Sequence, residues 1–221
     1  MLSLVLILTA LFVVSATIFY VYQKRDYDVL EIDGLLSSEE CDDLIEYSKN
    51  KGLSDSVVLS NNLENETYLD TKNRTSKTLW IKDSEHKVAM IVAKLSEKLS
   101  GYPINTQESL QIAHYDVNGK FNAHYDACVS TSQEYCDKIN RNAGQRLATL
   151  LIYLNDDFEG GETVFTKIGK VVKPKKGKGI LFWNTTTDEQ IIPESIHRGN
   201  PVIKGEKWIC TKWSHPRRYP A

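Results

Sequence analysis

Apolar residues fall into three textures along the chain, and each predicts a different kind of element. Residues 2–22, LSLVLILTALFVVSATIFYVY, carry no charge, and a stretch of that length can cross a bilayer as a helix. Between residues 37 and 101 apolar positions recur at helical spacing. Ser37-Ser38-Glu39-Glu40 supplies a capping box, Cys41, Leu44, Ile45 and Ser48 follow as an inner stripe, and Gly52 is a stop. Val88, Ile91, Val92, Leu95 and Leu99 predict a second helix that starts near Asp83 and ends at Gly101 and Pro103. Tyr27 to Leu36 reads as a strand, and polar residues 53–78 as irregular or weakly extended. From residue 107 the texture changes to short extended runs: QIAHYD, FNAHYD, RLATLLIYLN, ETVFTKI, KVVKP, GILFWN and KWICTKWSH, divided by Gly, Asn, Asp and Pro turns. So many short strands in succession predict a sandwich or barrel braced by the two helices.

A chain of 221 residues suits one domain beside its apolar leader. The 27 basic and 29 acidic residues nearly cancel, so no charge excess points to nucleic acid. Val14 and Ala16 are small enough for a signal-peptide cleavage site, which keeps that reading open. The apolar run continues through Ile18, Phe19 and Tyr22 with no Lys or Arg before it, which favours residues 1–23 as a retained transmembrane anchor. Lys24 and Arg25 would hold the following side cytoplasmic. Against that stand sequons at Asn65, Asn73 and Asn184, meaningful only in a lumenal or extracellular domain. Cys128 and Cys136 share a loop where a disulfide could close, while Cys41 and Cys210 complete an even number; four free thiols are the alternative. Sequons and cysteines together tilt the expectation toward a lumenal domain of endoplasmic-reticulum type.

The tripeptide His-Tyr-Asp occurs at residues 114–116 and again at 124–126. Between the copies lies Asn118-Gly119, the strongest short hairpin signal. A two-residue loop there would oppose Tyr115 to Asn122 and Ala113 to His124. His124 and Asp126 would then share Tyr115's side of a sheet, with His114, Asp116, Phe121, Ala123 and Tyr125 on the other. With that turn the two copies could not serve one site, whereas a three- or five-residue loop would shift the parity and put all four groups together. A lone His-x-Asp is more often a pair of surface residues, and a metal centre needs a distant third ligand, for which His197 and His215 are the downstream histidines. In KWICTKWSH, alternation places Lys207, Ile209, Thr211, Trp213 and His215 on one face.

Taken in order, Gln111-Ile112-Ala113-x-Tyr115, His124-x-Asp126, Gly144-Gln145-Arg146, Tyr153-Leu154-Asn155-Asp156, Gly160-Gly161-Glu162-Thr163, Phe182-Trp183, His197 and Lys207-Trp208 resemble the catalytic domain of the prolyl 4-hydroxylases, iron- and 2-oxoglutarate-dependent dioxygenases. The resemblance covers about residues 28–217. It implies a mainly β protein with flanking helices. Support would come from residues 37–101 and a double-stranded β-helix (jelly-roll) core from 107–215, together a domain over 27–217. It further implies Fe(II) held by His124, Asp126 and His197, and the distal carboxylate of 2-oxoglutarate on Lys207, Tyr115 and Thr163. Ascorbate would be the reductant, and proline in a Pro-rich peptide the acceptor, with O2 consumed and succinate and CO2 released. Lysine at 207 resembles the collagen-type branch. Arg146, Trp213 and His215 match positions near the peptide groove, and Arg74-Thr75-Ser76 resembles a mobile segment closing over the peptide. The ordinary alternatives are that Arg146 pairs with a carboxylate, Trp213 is core and His215 caps the last strand. Phe121 departs from the tyrosine of many plant-type members, and the loop 127–144 has no readable role. The chain has no room for the separate peptide-binding domain of animal collagen hydroxylases, so the resemblance is to short, single-domain forms. Two further readings stay open: the same chemistry on lysine or another residue, and a barrel that only binds a peptide or glycan.

Overall fold

A computed structural model describes residues 27–56, 58–59, 67–68 and 73–220. The expected anchor at 1–23, its Lys24 and Arg25 flank and the sequon at Asn65 lie outside them. Among the described residues no helix is long and apolar enough to cross a membrane. In chain order the elements are β1 (Leu30–Ile32), α1 (Ser38–Lys51), β2 (Ser54–Asp55), β3 (Val58–Leu59), β4 (Thr67–Tyr68), β5 (Lys77–Ile81), α2 (Lys87–Ser100), β6 (Leu110–Tyr115), β7 (Phe121–His124) and α3 (Gln133–Ile139). They continue with β8 (Ala148–Tyr153), β9 (Glu159–Gly160), β10 (Thr163–Phe165), β11 (Lys170–Val172), β12 (Gly179–Trp183), β13 (His197–Gly199), β14 (Val202–Lys204) and β15 (Lys207–Ser214).

Local chemistry sets the helix ends. The Ser37 hydroxyl accepts from the Glu40 amide and the Glu40 carboxylate accepts from the Ser37 amide, so both first-turn donors are satisfied. The second helix begins later than Asp83. His86 caps it by accepting from the Val88 amide, while the Asp83 carboxylate is drawn off to the fully buried ammonium of Lys212. Gly101 closes α2 in the left-handed conformation, where other residues are strained.

The strands form a jelly roll. A seven-stranded sheet has the order β1-β12-β8-β15-β6-β5-β2 and a four-stranded sheet the order β11-β10-β13-β7. Alternation along β8 sends Leu150 and Ile152 outward against the helices, among Leu44, Val88 and Val92. It sends Leu151 and Tyr153 inward, among Phe165, Phe182 and Ile209 between the sheets. Burying each such aliphatic or aromatic side chain contributes about 1.5–3 kcal/mol, so two apolar layers hold the large sheet from both faces. No local pattern marks β5, which begins at the end of the irregular or weakly extended stretch 53–78 and runs on to Ile81, nor α3 within the loop 127–144, nor the short strands β9, β13 and β14. The expected strand at Tyr27–Leu36 shortens to three residues at a sheet edge.

The Asn118-Gly119 hairpin does not form. β6 pairs with β15 and β5 in the large sheet, whereas β7 pairs with β13 in the small one. The turn is a corner between sheets. Gly119 N–H donates to the Asp116 carbonyl, Asn118 N–H to the Val202 carbonyl and Val202 N–H to the Gly119 carbonyl. A Cβ on Gly119 would stand 2.6 Å from the Asp116 oxygen, so only glycine fits. The expected registers of Tyr115 with Asn122 and Ala113 with His124 are therefore wrong, and so is the placing of Phe121 away from His124. The two rings stack with centroids 3.6 Å apart. The two His-Tyr-Asp copies are still separate: His114 bonds Glu206 at 2.8 Å, behind the large sheet against Trp208.

Candidate metal centre and its cavity

His124 on β7 is the direct cross-strand partner of His197 on β13. Opposed residues of an antiparallel pair share a face, so pairing alone brings the imidazoles together, their centroids 4.4 Å apart. Asp126 joins them from just past the end of β7, and one ligand atom from each of the three lies within 4.8 Å of the others. Each Nδ1 faces a backbone carbonyl, Asn122 for His124 and Ser195 for His197, at 2.8 and 2.9 Å. A carbonyl only accepts, so Nδ1 carries the proton. The Nε2 lone pairs are left beside Asp126 Oδ1, at 3.5 and 4.0 Å. Two imidazole nitrogens and one carboxylate on one side of a point suit a divalent iron ion with open positions.

Burial disfavours a charge on Asp126, yet His197, His124 and Arg146 outweigh it and hold the carboxyl well below the ordinary range. Burial and the neighbouring His124 push His197 down to about 4, so it is a neutral ligand at physiological pH. The other Asp126 oxygen accepts from the Thr149 hydroxyl at 2.7 Å, and Thr149 Oγ1 accepts from Asn184 Nδ2 at 2.8 Å. These two supports escape sequence reasoning, because nothing in their spacing marks them. Asn184 is fully buried, which removes it as a glycosylation acceptor in the folded chain; Asn73 is exposed.

The same cavity is lined by Tyr115, Thr163 and Lys207. Lys207 is buried and its ammonium donates to the Gly161 carbonyl at 2.7 Å. Its Nζ sits 5.3 and 5.5 Å from the Tyr115 and Tyr153 rings, and it makes no ion pair among the described residues. Burial brings it down to about 8. A buried ammonium whose only hydrogen-bond partner among the described residues is a carbonyl suits an incoming carboxylate. The Thr163 hydroxyl accepts from Tyr153 at 2.6 Å, which leaves its own proton to donate. These residues fit a 2-oxo dicarboxylic acid reaching from the iron site to Lys207.

A wider groove of about 470 Å³ opens beside the triad, lined in part by Arg74, Trp80, Tyr125, Val129, Tyr135, Arg146 and Trp213. Arg146 is gripped in a bidentate pair by Glu108, lies 3.9 Å over the Trp213 ring and touches the Asp126 carbonyl at 3.4 Å. Burial would raise Glu108, but Arg146 and His215 bring it down to about 2. His215 is fully buried, with ring nitrogens on the Gly144 carbonyl and Glu108, and does not reach the groove. It anchors the residue that anchors Arg146. Nor do Arg74-Thr75-Ser76 form a free segment: Arg74 bonds Ser76 and Gln111 at 2.8 and 3.0 Å and lies over Phe121, and Thr75 N–H donates to the Lys120 carbonyl. Trp213 does line the groove, its indole N–H unpartnered. Trp80, half exposed at the rim and 5.8 Å from Trp213, sits on β5, which no local sequence pattern marks. Cys128 and Cys136 form a disulfide in the groove wall, while Cys41 and Cys210 are free and buried.

A jelly roll presenting two imidazoles and a carboxylate beside a buried lysine defines a non-haem iron oxygenase that uses a 2-oxo acid. Residues 110–215 match the family model described as the 2OG-Fe(II) oxygenase superfamily. The chain is 36% identical over 204 residues to "Probable prolyl 4-hydroxylase 3" of Arabidopsis thaliana, covering 83% of this chain and 68% of that protein. It is 31% identical over 189 residues to "Putative prolyl 4-hydroxylase" of Acanthamoeba polyphaga mimivirus, covering 85% and 74%. Among solved structures, a viral collagen prolyl hydroxylase from Paramecium Bursaria Chlorella virus-1, as its 2OG complex, superposes with a TM-score of 0.67 at 32% identity, over 86% of this chain and 96% of that one. The chain therefore belongs to the 2OG-Fe(II) oxygenase superfamily and, within it, to the prolyl 4-hydroxylases.

Proposed function

We propose that the chain hydroxylates peptidyl proline to 4-hydroxyproline, using Fe(II) on His124, Asp126 and His197, 2-oxoglutarate on Lys207, Thr163 and Tyr115, and ascorbate as reductant. The observation that carries this reading is the buried Lys207 ammonium in the same cavity as the triad, which suits a carboxylate there and nothing apolar. When bound, iron and 2-oxoglutarate supply the oxidation: one oxygen of O2 enters succinate as CO2 leaves and the other enters the substrate C–H bond. The chain's own residues hold and shield. Thr149 fixes one Asp126 oxygen so that the other faces the imidazoles, and Phe121 covers one face of the His124 ring. Arg146, locked by Glu108, stacks on the Trp213 ring that lines the groove. The aromatic groove suits an extended, proline-containing segment, whose polyproline conformation costs little further ordering.

The site belongs to a domain at 27–217, which we place in the lumen of the endoplasmic reticulum on an anchor formed by residues 1–23. The Cys128–Cys136 disulfide supports an oxidising compartment, and the exposed Asn73 sequon is compatible with it. The test is incubation of the full chain with Fe(II), 2-oxoglutarate, ascorbate and a panel of Pro-rich and Lys-containing peptides. One oxygen gained on proline with matching succinate is expected; oxygen on lysine, or succinate matched by no modified proline, overturns the assignment.

A further inference from the structure

One wall of the groove is the loop 127–144 with its helix α3, and neither the iron ligands nor the lysine pocket requires it. α3 has seven residues, too short to persist on its own propensity. It is held from outside. Ser132 caps its start, and Cys136 within it is bonded to Cys128. The Gln145 side chain engages both the amide and the carbonyl of Cys128, at 2.8 and 3.0 Å. So fastened, the loop presents Val129, Tyr135 and Ile139 to the groove, with Val129 about half exposed. Asp126 stands only two residues before Cys128, but its own anchors are Thr149 and Arg146, on the other side of the loop in sequence. Loss of the disulfide removes one of the fastenings of the wall, while Thr149 and Arg146 still hold the metal carboxylate.

We propose that the Cys128–Cys136 bond is a redox-sensitive specificity element: intact, it holds α3 as the peptide-selecting wall, and its reduction weakens peptide capture while the iron and 2-oxoglutarate pocket stays formed. The inference rests on the groove being the peptide site. Two electrons and two protons from an external dithiol convert the bond into two thiols, and the dithiol closes to a cyclic disulfide.

The full chain is compared intact, after dithiol treatment, and as Cys136→Ser, which breaks the bond at the cysteine that does not line the groove. A labelled Pro-rich peptide reports Kd by fluorescence anisotropy, succinate released without peptide reports the iron pocket, and amide exchange over 127–144 reports the wall. Breaking the bond is expected to raise Kd about tenfold and speed exchange in 127–144 at least as much, with peptide-free succinate within about twofold. An unchanged Kd overturns the inference even if proline is hydroxylated. An equal fall in peptide-free succinate overturns it too, since the bond would then serve the whole fold. Tight, redox-dependent binding with no oxygen on proline leaves the inference standing and removes the proposed function; no peptide binding by the intact chain removes both.

Discussion

At the scale of single residues the two His-Tyr-Asp copies have separate fates. His124→Ala removes a nitrogen facing Asp126 and is expected to abolish iron-dependent succinate formation. His114→Ala removes a partner of Glu206 and is expected to keep much of it; equal loss in both would sink the assignment. Lys207 gives a sharper reading. Lys207→Met is expected to raise the KM for 2-oxoglutarate roughly 100-fold, the size of a lost charge-assisted bond. Because burial holds the free lysine near 8 and a bound carboxylate favours its charged form, the same KM is expected to rise about tenfold per pH unit above 8 in the wild type. A KM flat from pH 7 to 9.5 would remove the carboxylate role from Lys207.

At the scale of elements, the large sheet holds the small one's ligands in place through Thr149 on β8. Thr149→Val deletes the hydroxyl that donates to Asp126 and strands Asn184 Nδ2. Iron affinity, read by Fe(II) titration, is expected to fall about 10–100-fold. Much at this scale was legible. The capping box placed α1, and short extended runs bounded by turn residues located β6, β8, β12 and β15, because those signals are local. A His-x-Asp followed by a distant His already contains the three residues that the structure gathers. What could not be read was pairing. The turn at 118–119 has hairpin chemistry, but β6 and β7 each find a better-fitting edge in a different sheet, and no local pattern encodes that choice. His197 and Thr149 come to Asp126 through such long-range partners, so the support around the ligands stayed hidden even where the ligands did not.

For the molecule as a whole, Glu108 couples acid to unfolding. Its carboxyl drops from an ordinary 4.5 to about 2 in the folded state, so its stabilisation is full above about 4.5 and drains away as pH falls toward 2. By linkage the loss is about 3 kcal/mol. Urea midpoints at pH 6 and pH 3 are expected to differ more in the wild type than in Glu108→Gln, and an identical pH response would refute the link. Iron adds to stability by mass action on the folded state alone, so the melting temperature is expected to rise with Fe(II) and return on chelation.

The position of β15 has a consequence for how the chain is made. The last strand lies between β8 and β6 in the middle of the large sheet, so no nascent chain can close that sheet until residue 214 has left the ribosome. One of the two strand partners of β6 arrives only after about ninety residues of further synthesis, a non-local wiring that folds slowly. Chains released short of β15 expose two open strand edges and become targets for aggregation and quality control rather than slow enzymes.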